Sequence, residues 1–303
     1  MTVLSIGTFD GIHLGHRKLL ARVHDIAKAE GLKSVIITYR EHPAITLKKD
    51  SAPKMLCPSA LKKQQLISLS IDEVAMLDFT PEMALITAEQ FLGEYLIPTW
   101  HPSVIVMGYD SHFGKNREGN RQFLQNHATE YGYRVEYVEP ELDAGAPISS
   151  SRIRKLLETA DLQEANRLLG RPYCLLGSVT HGTARGKDLG FPTANLTLAS
   201  PHQLIPAQGI YFSRVRLEGQ TFFGLTNIGI SPTLKSTGII EVETFLIGFD
   251  SDIYGSTMQV ELLKYLREEK MFADSDELIC AMKQDLAQAQ SLIKEMECKS
   301  ATS

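Results

Sequence analysis

Two histidines, His13 and His16, stand three residues apart in the segment Gly7-Thr8-Phe9-Asp10-Gly11-Ile12-His13-Leu14-Gly15-His16. Imidazoles so placed can donate hydrogen bonds to phosphoryl oxygens while negative charge builds in a transition state. A short apolar run, Val3 to Ile6, precedes the segment, and a helical pattern from about His16 to Glu30 follows it. The spacing predicts a strand, a glycine-punctuated turn and a helix N-terminus whose free N–H groups favour anions. A lone histidine here would simply cap the connection. The whole string points instead to a phosphate site suited to nucleotidyl transfer.

Three further groups carry chemistry. Ser149-Ser150-Ser151-Arg152-Ile153-Arg154 opens a predicted helix, where serines supply the N-cap and, with Arg154, offer a second phosphate site. Between the two, Met107 to Gly119 forms a loop in which Tyr109 and Phe113 can pack on a flat ring. Later, Gly182-Thr183-Ala184-Arg185-Gly186-Lys187 can wrap phosphates with backbone N–H groups, and no Gly-Lys-Ser/Thr follows to make it a Walker motif. Thr193 and Asn195, two apart on an extended segment, share a face and offer oxygen ligands for Mg²⁺. Glu243, in Glu241-Val242-Glu243-Thr244-Phe245, could accept a proton from a substrate hydroxyl if it faced a barrel interior, although the residues alone favour a solvent-facing strand position.

The elements that position these groups follow two patterns. Strand-like runs at Lys33–Tyr39, Glu73–Phe79, Ser103–Tyr109 and Arg134–Val138 alternate with helical patterns at Gly15–Glu30, Pro58–Ser70, Pro81–Leu96 and Gly119–Gly132. That alternation predicts an α/β domain with a parallel sheet and a ligand site at the carboxyl ends of its strands. Two helices, Ser149–Ala160 and Asp161–Leu169, lead to a boundary at Gly170-Arg171-Pro172. Strands are then expected at Tyr173–His181, Gly209–Leu217, Thr221–Ile228, Glu241–Phe249 and Met258–Leu266. Short strands with glycine turns suggest a small antiparallel barrel, closed off by an amphipathic helix over Ser275–Lys294 and a frayed tail from Cys298. The expected domains are residues 1–170 and 171–303.

Bulk properties bound the rest. A chain of 303 residues with net charge −5 has room for two cores and no global basic field, so nucleic acid is not an expected partner. The four cysteines, Cys57, Cys174, Cys280 and Cys298, show no paired spacing, which suits a reducing, cytoplasmic setting. No leader or membrane span is expected. Small molecules are the expected partners, and the chain is expected to be a monomer or weak oligomer.

These motifs, in this order, resemble the bifunctional riboflavin kinase/FMN adenylyltransferase family of bacteria, the FAD synthetases. The family's Gly-x-Phe-Asp-Gly-x-His-x-Gly-His is Gly7 to His16, its Gly-x-Asp-Phe-x-Phe-Gly loop is Gly108 to Gly114, and its Ser-Ser/Thr-x-x-Arg is Ser150, Ser151 and Arg154. Gly-Phe-Pro-Thr-Ala-Asn is matched unchanged by Gly190–Asn195, Asn-x-Gly-x-x-Pro-Thr by Asn227–Thr233, and the later elements by Tyr254-Gly255 and Leu266–Phe272. The resemblance implies a Rossmann-like adenylyltransferase domain followed by a β-barrel riboflavin kinase domain with a C-terminal helix. It implies ATP and Mg²⁺, with riboflavin, FMN and FAD as substrates and products.

In the first domain it places ATP on Gly7, Phe9, Asp10, Gly15, Ser150, Ser151 and Arg154, with His13 and His16 catalytic and flavin on Tyr109, Asp110 and Phe113. In the second it places ATP on Gly182, Arg185, Gly186, Lys187, Gly190 and Pro192, and the metal on Thr193 and Asn195. There it makes Arg267 a flavin contact and Glu243 the base. The sequence departs from the family pattern in four places: Ser111 and Leu234 stand for aromatics, Arg40-Glu41 lacks the first proline of Thr-Phe-x-Pro-His-Pro, and Phe245 stands for a histidine. A single-activity nucleotidyltransferase would leave residues 172–297 unexplained, and a class I aminoacyl-tRNA synthetase relative would need a basic face. A kinase-only enzyme or a flavin-binding descendant with a degraded first site is the remaining alternative.

Overall fold

Apolar runs build the first sheet. In β1 (Thr2–Ile6) and β2 (Lys33–Tyr39) every residue but Lys33 is buried, as expected of parallel strands covered on both faces. The computed structural model describes residues 1–47, 52–181, 191–230, 240–249 and 251–301. They fall into two compact units, Met1–Arg152 and Ile153–Ser303.

In the first unit, β3 (Glu73–Leu77), β4 (Pro102–Gly108) and β5 (Arg134–Val138) complete a parallel sheet in the order β3-β2-β1-β4-β5. The chain leaves β1 toward one edge and returns beside it as β4. Ligands bind at such a switch point, outside the carboxyl ends of the strands. One face is covered by α1 (Leu14–Glu30), which buries Leu19, Leu20, Val23 and Ile26 against Val3, Val104 and Val106 and ends at Gly31 in the left-handed region. α2 (Pro43–Thr46) and α3 (Ser59–Ser68) lie between β2 and β3 in sequence.

The helix expected over Pro81–Leu96 begins later and ends later. A Thr87/Gln90 capping box opens α4 (Ala88–Gln90), which runs through a π turn at Phe91–Leu96 into α5 (Ile97–Trp100). Pro98 has no N–H to donate, so a regular α ladder is interrupted here, and π turns are common at such irregularities. α6 (Arg121–Tyr131) is capped by the Asn120 side chain, and a short hairpin pairs β6 (Leu142–Asp143) with β7 (Ala146–Pro147). α7 (Ser150–Glu158) follows.

In the second unit, α8 (Leu162–Leu169) is capped by Asp161 and precedes a closed antiparallel barrel. Its strands are β8 (Tyr173–Thr180), β9 (Thr193–Leu198), β10 (Gly209–Leu217), β11 (Gln220–Ile230), β12 (Ile240–Leu246) and β13 (Thr257–Arg267), in the order β10-β11-β12-β9-β8-β13. β9 is the strand that the sequence marks only as an extended segment. Buried hydroxyls of Ser213, Thr226 and Thr244 satisfy one another in a ladder (2.8 and 3.0 Å) between β10, β11 and β12. On the opposite face of these strands, Phe212, Leu225 and Phe245 pack under Leu286, Ala289 and Ile293 of α9 (Ser275–Ala301). α9 continues past Lys294 through Cys298 to Ala301, so the expected frayed tail is helical as far as Ala301. Among the described residues, no helix is long and apolar enough to cross a membrane.

Candidate active sites

The turn after β1 is strained and heavily braced. Phe9 (φ 45°) and Ile12 (φ 43°) occupy the left-handed region that L side chains rarely adopt, and Ile12 is β-branched. Such strain persists only where the surroundings over-determine it. Here Asp10, 3% exposed, turns its carboxylate onto the backbone N–H groups of Leu56 (2.9 and 3.1 Å) and Cys57 (3.1 Å). The Asp10 carbonyl accepts from Ser150 Oγ (2.9 Å), which brings the start of α7 to the turn. Asp10 therefore braces the turn through both its carboxylate and its carbonyl.

His13 caps α1: its Nδ1 accepts from the His16 backbone N–H (3.3 Å). A neutral His13 then carries its proton on Nε2. The two imidazoles stack with centroids 3.7 Å apart and planes at 18°. Burial first, then the neighbouring His13 and Lys62, hold the His16 pKa well below the ordinary imidazole value. His16 is thus neutral near pH 7, and its Nδ1 is buried without a hydrogen-bond partner. A Cβ on Gly15 would lie 3.2 Å from the His13 ring and 3.3 Å from the Ile148 carbonyl. A Cβ on Gly7 would crowd Phe9 at 3.2 Å. Ser151 is exposed on α7, and Arg154 lies one turn beyond Ser150 on the same helix.

The loop after β4 corrects one expectation. Phe113 is 3% exposed and packs on Phe91 and Phe123, with Gly119 pressed against its ring. It anchors the loop and presents no face to a ligand. Tyr109, 40% exposed, is the aromatic that does, beside exposed Asp110. Ser111, at a family aromatic position, turns back so that its Oγ accepts from the Gly108 N–H (3.2 Å). The cleft beside it is lined by Tyr109, Ser111, His112, Arg121, Gln125 and Tyr137, with the Arg121 guanidinium 4.2 Å over the Tyr137 ring.

The barrel decides the direction of Glu243. Strand alternation puts Thr244 in the interior ladder, so Glu243 and Phe245 point to the outer face, not into the barrel. Glu243 is there paired in register with Asn195 of β9 and Asn227 of β11, and Thr193 Oγ1 donates to its Oε2 (3.5 Å). Buried Ala194 separates half-buried Thr193 and Asn195, so those two share the Glu243 face as expected. Burial, and then the nearby Glu241 carboxylate, raise the Glu243 pKa, with Glu269 adding to the effect and the Thr193 hydroxyl opposing it. The Asn227 Oδ1 is buried with no partner. Phe245, where the family has histidine, packs edge-on against Phe191 (5.2 Å).

Arg267 is held in a two-pronged pair by Asp285 of α9, Nε to Oδ1 at 2.9 Å and Nη2 to Oδ2 at 2.7 Å. Asp285 stood out in the sequence only as one more acidic residue of an amphipathic helix. Pro192 is exposed, and His181 stacks on Tyr254 at 3.6 Å. Gly182, Arg185, Gly186, Lys187, Gly190 and Leu234 lie outside the described residues.

With Asp285 only 6% exposed, removing its charge leaves the half-buried Arg267 guanidinium without its carboxylate partner. Asp285→Asn is expected to destabilise the second unit by about 3 kcal/mol, toward the lower end for a broken buried pair. Urea unfolding followed by far-UV circular dichroism measures it.

Comparison with known proteins agrees with this division. The FAD synthetase family model matches residues 1–152, and the riboflavin kinase family model matches residues 169–293. A bifunctional riboflavin kinase/FMN adenylyltransferase of Listeria monocytogenes is 31% identical over 97% of this chain and 93% of its own length. The protein of the same name from Pseudomonas fluorescens is 34% identical over 96% of this chain and 92% of its own. A crystal structure titled a macrolide-efflux protein, from Streptococcus pneumoniae, superimposes with TM-score 0.83 at 30% identity, covering 95% of this chain and 94% of its own.

Proposed function

The chain belongs to the bifunctional riboflavin kinase/FMN adenylyltransferase family, and on that premise we propose how its residues divide the work. The enzyme phosphorylates riboflavin to FMN and adenylylates FMN to FAD at the expense of ATP. Residues 1–170 carry the adenylyltransferase and residues 171–303 the kinase. The observation that supports this assignment best is the braced, strained turn of His13 and His16 in one unit and the Glu243 row in the other.

In adenylyl transfer, a phosphate oxygen of FMN attacks the α-phosphorus of ATP as the bond to the departing pyrophosphate breaks. The substrate phosphate is itself a competent nucleophile, so no covalent enzyme intermediate is needed. Neutral His16 and the Nε2–H of His13 donate to phosphoryl oxygens, and donors fixed before reaction stabilise developing charge without reorganising. Gly7 and Gly15 let the triphosphate approach the backbone, Phe9 and Asp10 hold the turn, and Ser150, Ser151 and Arg154 take the remaining phosphates. Tyr109 and Asp110 face the flavin.

In the kinase, Glu243 takes the proton of the riboflavin 5′-hydroxyl as that oxygen attacks the γ-phosphorus of ATP, leaving ADP. The barrel holds the base on a rigid strand, and the chemistry is mainly positioning and charge stabilisation. The hydroxyl of Thr193 and the amide of Asn195, beside a carboxylate, are the hard oxygen donors that magnesium accepts. When bound there, magnesium would offset charge on the ATP phosphates. Gly182, Arg185, Gly186, Lys187, Gly190 and Pro192 cover the nucleotide, and Arg267, aimed by Asp285, meets the flavin.

Small molecules are the partners. Four cysteines without paired spacing fit a reducing cytoplasm, and the negative net charge argues against nucleic acid. The experiment is direct: purified protein is incubated with riboflavin and Mg·ATP and the products are chromatographed. FMN and FAD together are expected. FMN alone would reduce the assignment to the kinase. A fragment beginning at Ile153 keeps α8, whose Asn166 bonds the Tyr173 N–H (2.7 Å) and the Leu262 carbonyl (2.9 Å), and should make FMN alone.

A further inference from the structure

Lys62 of α3 is 2% exposed, an unusual place for an ammonium group. Its Nζ donates to the Thr8 carbonyl (3.1 Å) and to the Tyr39 carbonyl (2.5 Å). Thr8 is the second residue beyond β1, and Tyr39 is the last residue of β2. The ammonium therefore bridges the carboxyl ends of two adjacent parallel strands. Both carbonyls belong to a rim where a parallel sheet ends and its own ladder can no longer satisfy them.

The Thr8 carbonyl also accepts from Thr38 Oγ1 (3.0 Å), so the entry to the strained turn is held from two sides. One residue further on, Phe9 enters the left-handed region, and Asp10 begins the bracing of Leu56, Cys57 and Ser150. Burial pulls the Lys62 pKa below the ordinary lysine value, and the nearby Asp10 and Cys57 oppose that effect.

We propose that Lys62 is a positioning residue for adenylyl transfer, its buried ammonium fixing the strained turn that presents His13 and His16. It never needs to touch substrate. An apolar side chain at position 62 would strip the buried Tyr39 carbonyl of this donor and leave the Thr8 carbonyl to Thr38 Oγ1. The turn could then relax away from Phe9 and Ile12, carrying the start of α1 with it. Misplacement of reacting groups by about 1 Å can cost on the order of 10²-fold in rate. The proximity of the same positive charge to His16 also helps to keep that imidazole neutral.

The inference rests on the assignment of the His13/His16 turn to adenylyl transfer, and the test separates the two. FAD formation from FMN and Mg·ATP is measured for the full-length wild-type, Lys62→Met, Lys62→Arg and His16→Ala proteins, with FMN formation from riboflavin as an internal control. Lys62→Met keeps the buried volume and is expected to lower kcat for FAD formation about 10²-fold, with the ATP KM little changed and FMN formation normal. Lys62→Arg, which retains a buried cation able to reach both carbonyls, is expected to recover most of the lost kcat.

A Lys62→Met protein with full kcat, a loss confined to KM, or an arginine variant no better than the methionine one overturns the positioning role. Normal FAD formation by His16→Ala would instead overturn the site assignment itself. If Lys62→Met fails to show a cooperative unfolding transition for the first unit, Lys62→Gln, whose shorter, uncharged side chain loses the bridge between the two carbonyls, is held to the same criteria.

Discussion

His16→Ala is expected to abolish FAD formation and to leave FMN formation nearly intact. The side chain lies at the start of α1, stacked on His13 and half-buried, so alanine removes a fixed donor without opening the sheet core. Removing one preorganised donor to a transition-state oxyanion typically costs about 10²–10³-fold. Two effects add to that here. The stacked His13 loses the ring that helps to hold its orientation, and the site loses an imidazole that burial keeps neutral at working pH. Riboflavin phosphorylation by the same sample is the control, because the kinase residues lie in the other unit. A parallel fall in both activities, in protein with normal circular dichroism, would make separate sites untenable.

Glu243→Gln is expected to cut the turnover of FMN synthesis by about 10²–10⁴-fold, the usual contribution of a positioned general base. Its effect on the ATP KM should be much smaller, because the carboxylate acts on the hydroxyl that attacks. FMN supplied directly should still be adenylylated at the normal rate. The raised pKa of Glu243 adds a pH signature. The base works only when ionised, so FMN formation should fall as pH drops through a value above that of an ordinary glutamate. Glu269→Gln removes a nearby negative charge and should move that acid limb to lower pH. A Glu243→Gln enzyme that phosphorylates riboflavin at wild-type speed would shift the role to another carboxylate, with Glu241, two residues earlier on the same strand face, first to be tried.

Much of this enzyme is legible in its sequence because local patterns decide it. The Gly7–His16 string follows an apolar strand and precedes a helical period, and the structure carries it as β1, a turn and α1. Alternation of strands and helices gave the parallel sheet, and dense β-patterned runs gave the barrel. Thr193 and Asn195 share a face because side chains in a strand repeat every two residues, whatever surrounds them.

Other features depend on what the chain meets after it folds. The direction of Glu243 is not legible locally, because alternation fixes which residues share a face, and only closure of the barrel decides which face is inside. The buried Ser213–Thr226–Thr244 ladder gave the interior to the polar hydroxyls, and α9 took the side where Glu243 stands. Phe113 looked like a ligand platform until Phe91 and Phe123, distant in sequence, closed around it. Asp285 and Lys62 carry no local signature, since a charged residue on a helix is normally solvated. Their significance comes from burial against Arg267 in one case, and against the open ends of β1 and β2 in the other. Sequence thus determined which chemistry the chain holds and on which elements, because those depend on neighbours a few residues away. Tertiary structure alone decided which groups are desolvated, paired and aimed, because those depend on contacts between segments far apart in the chain.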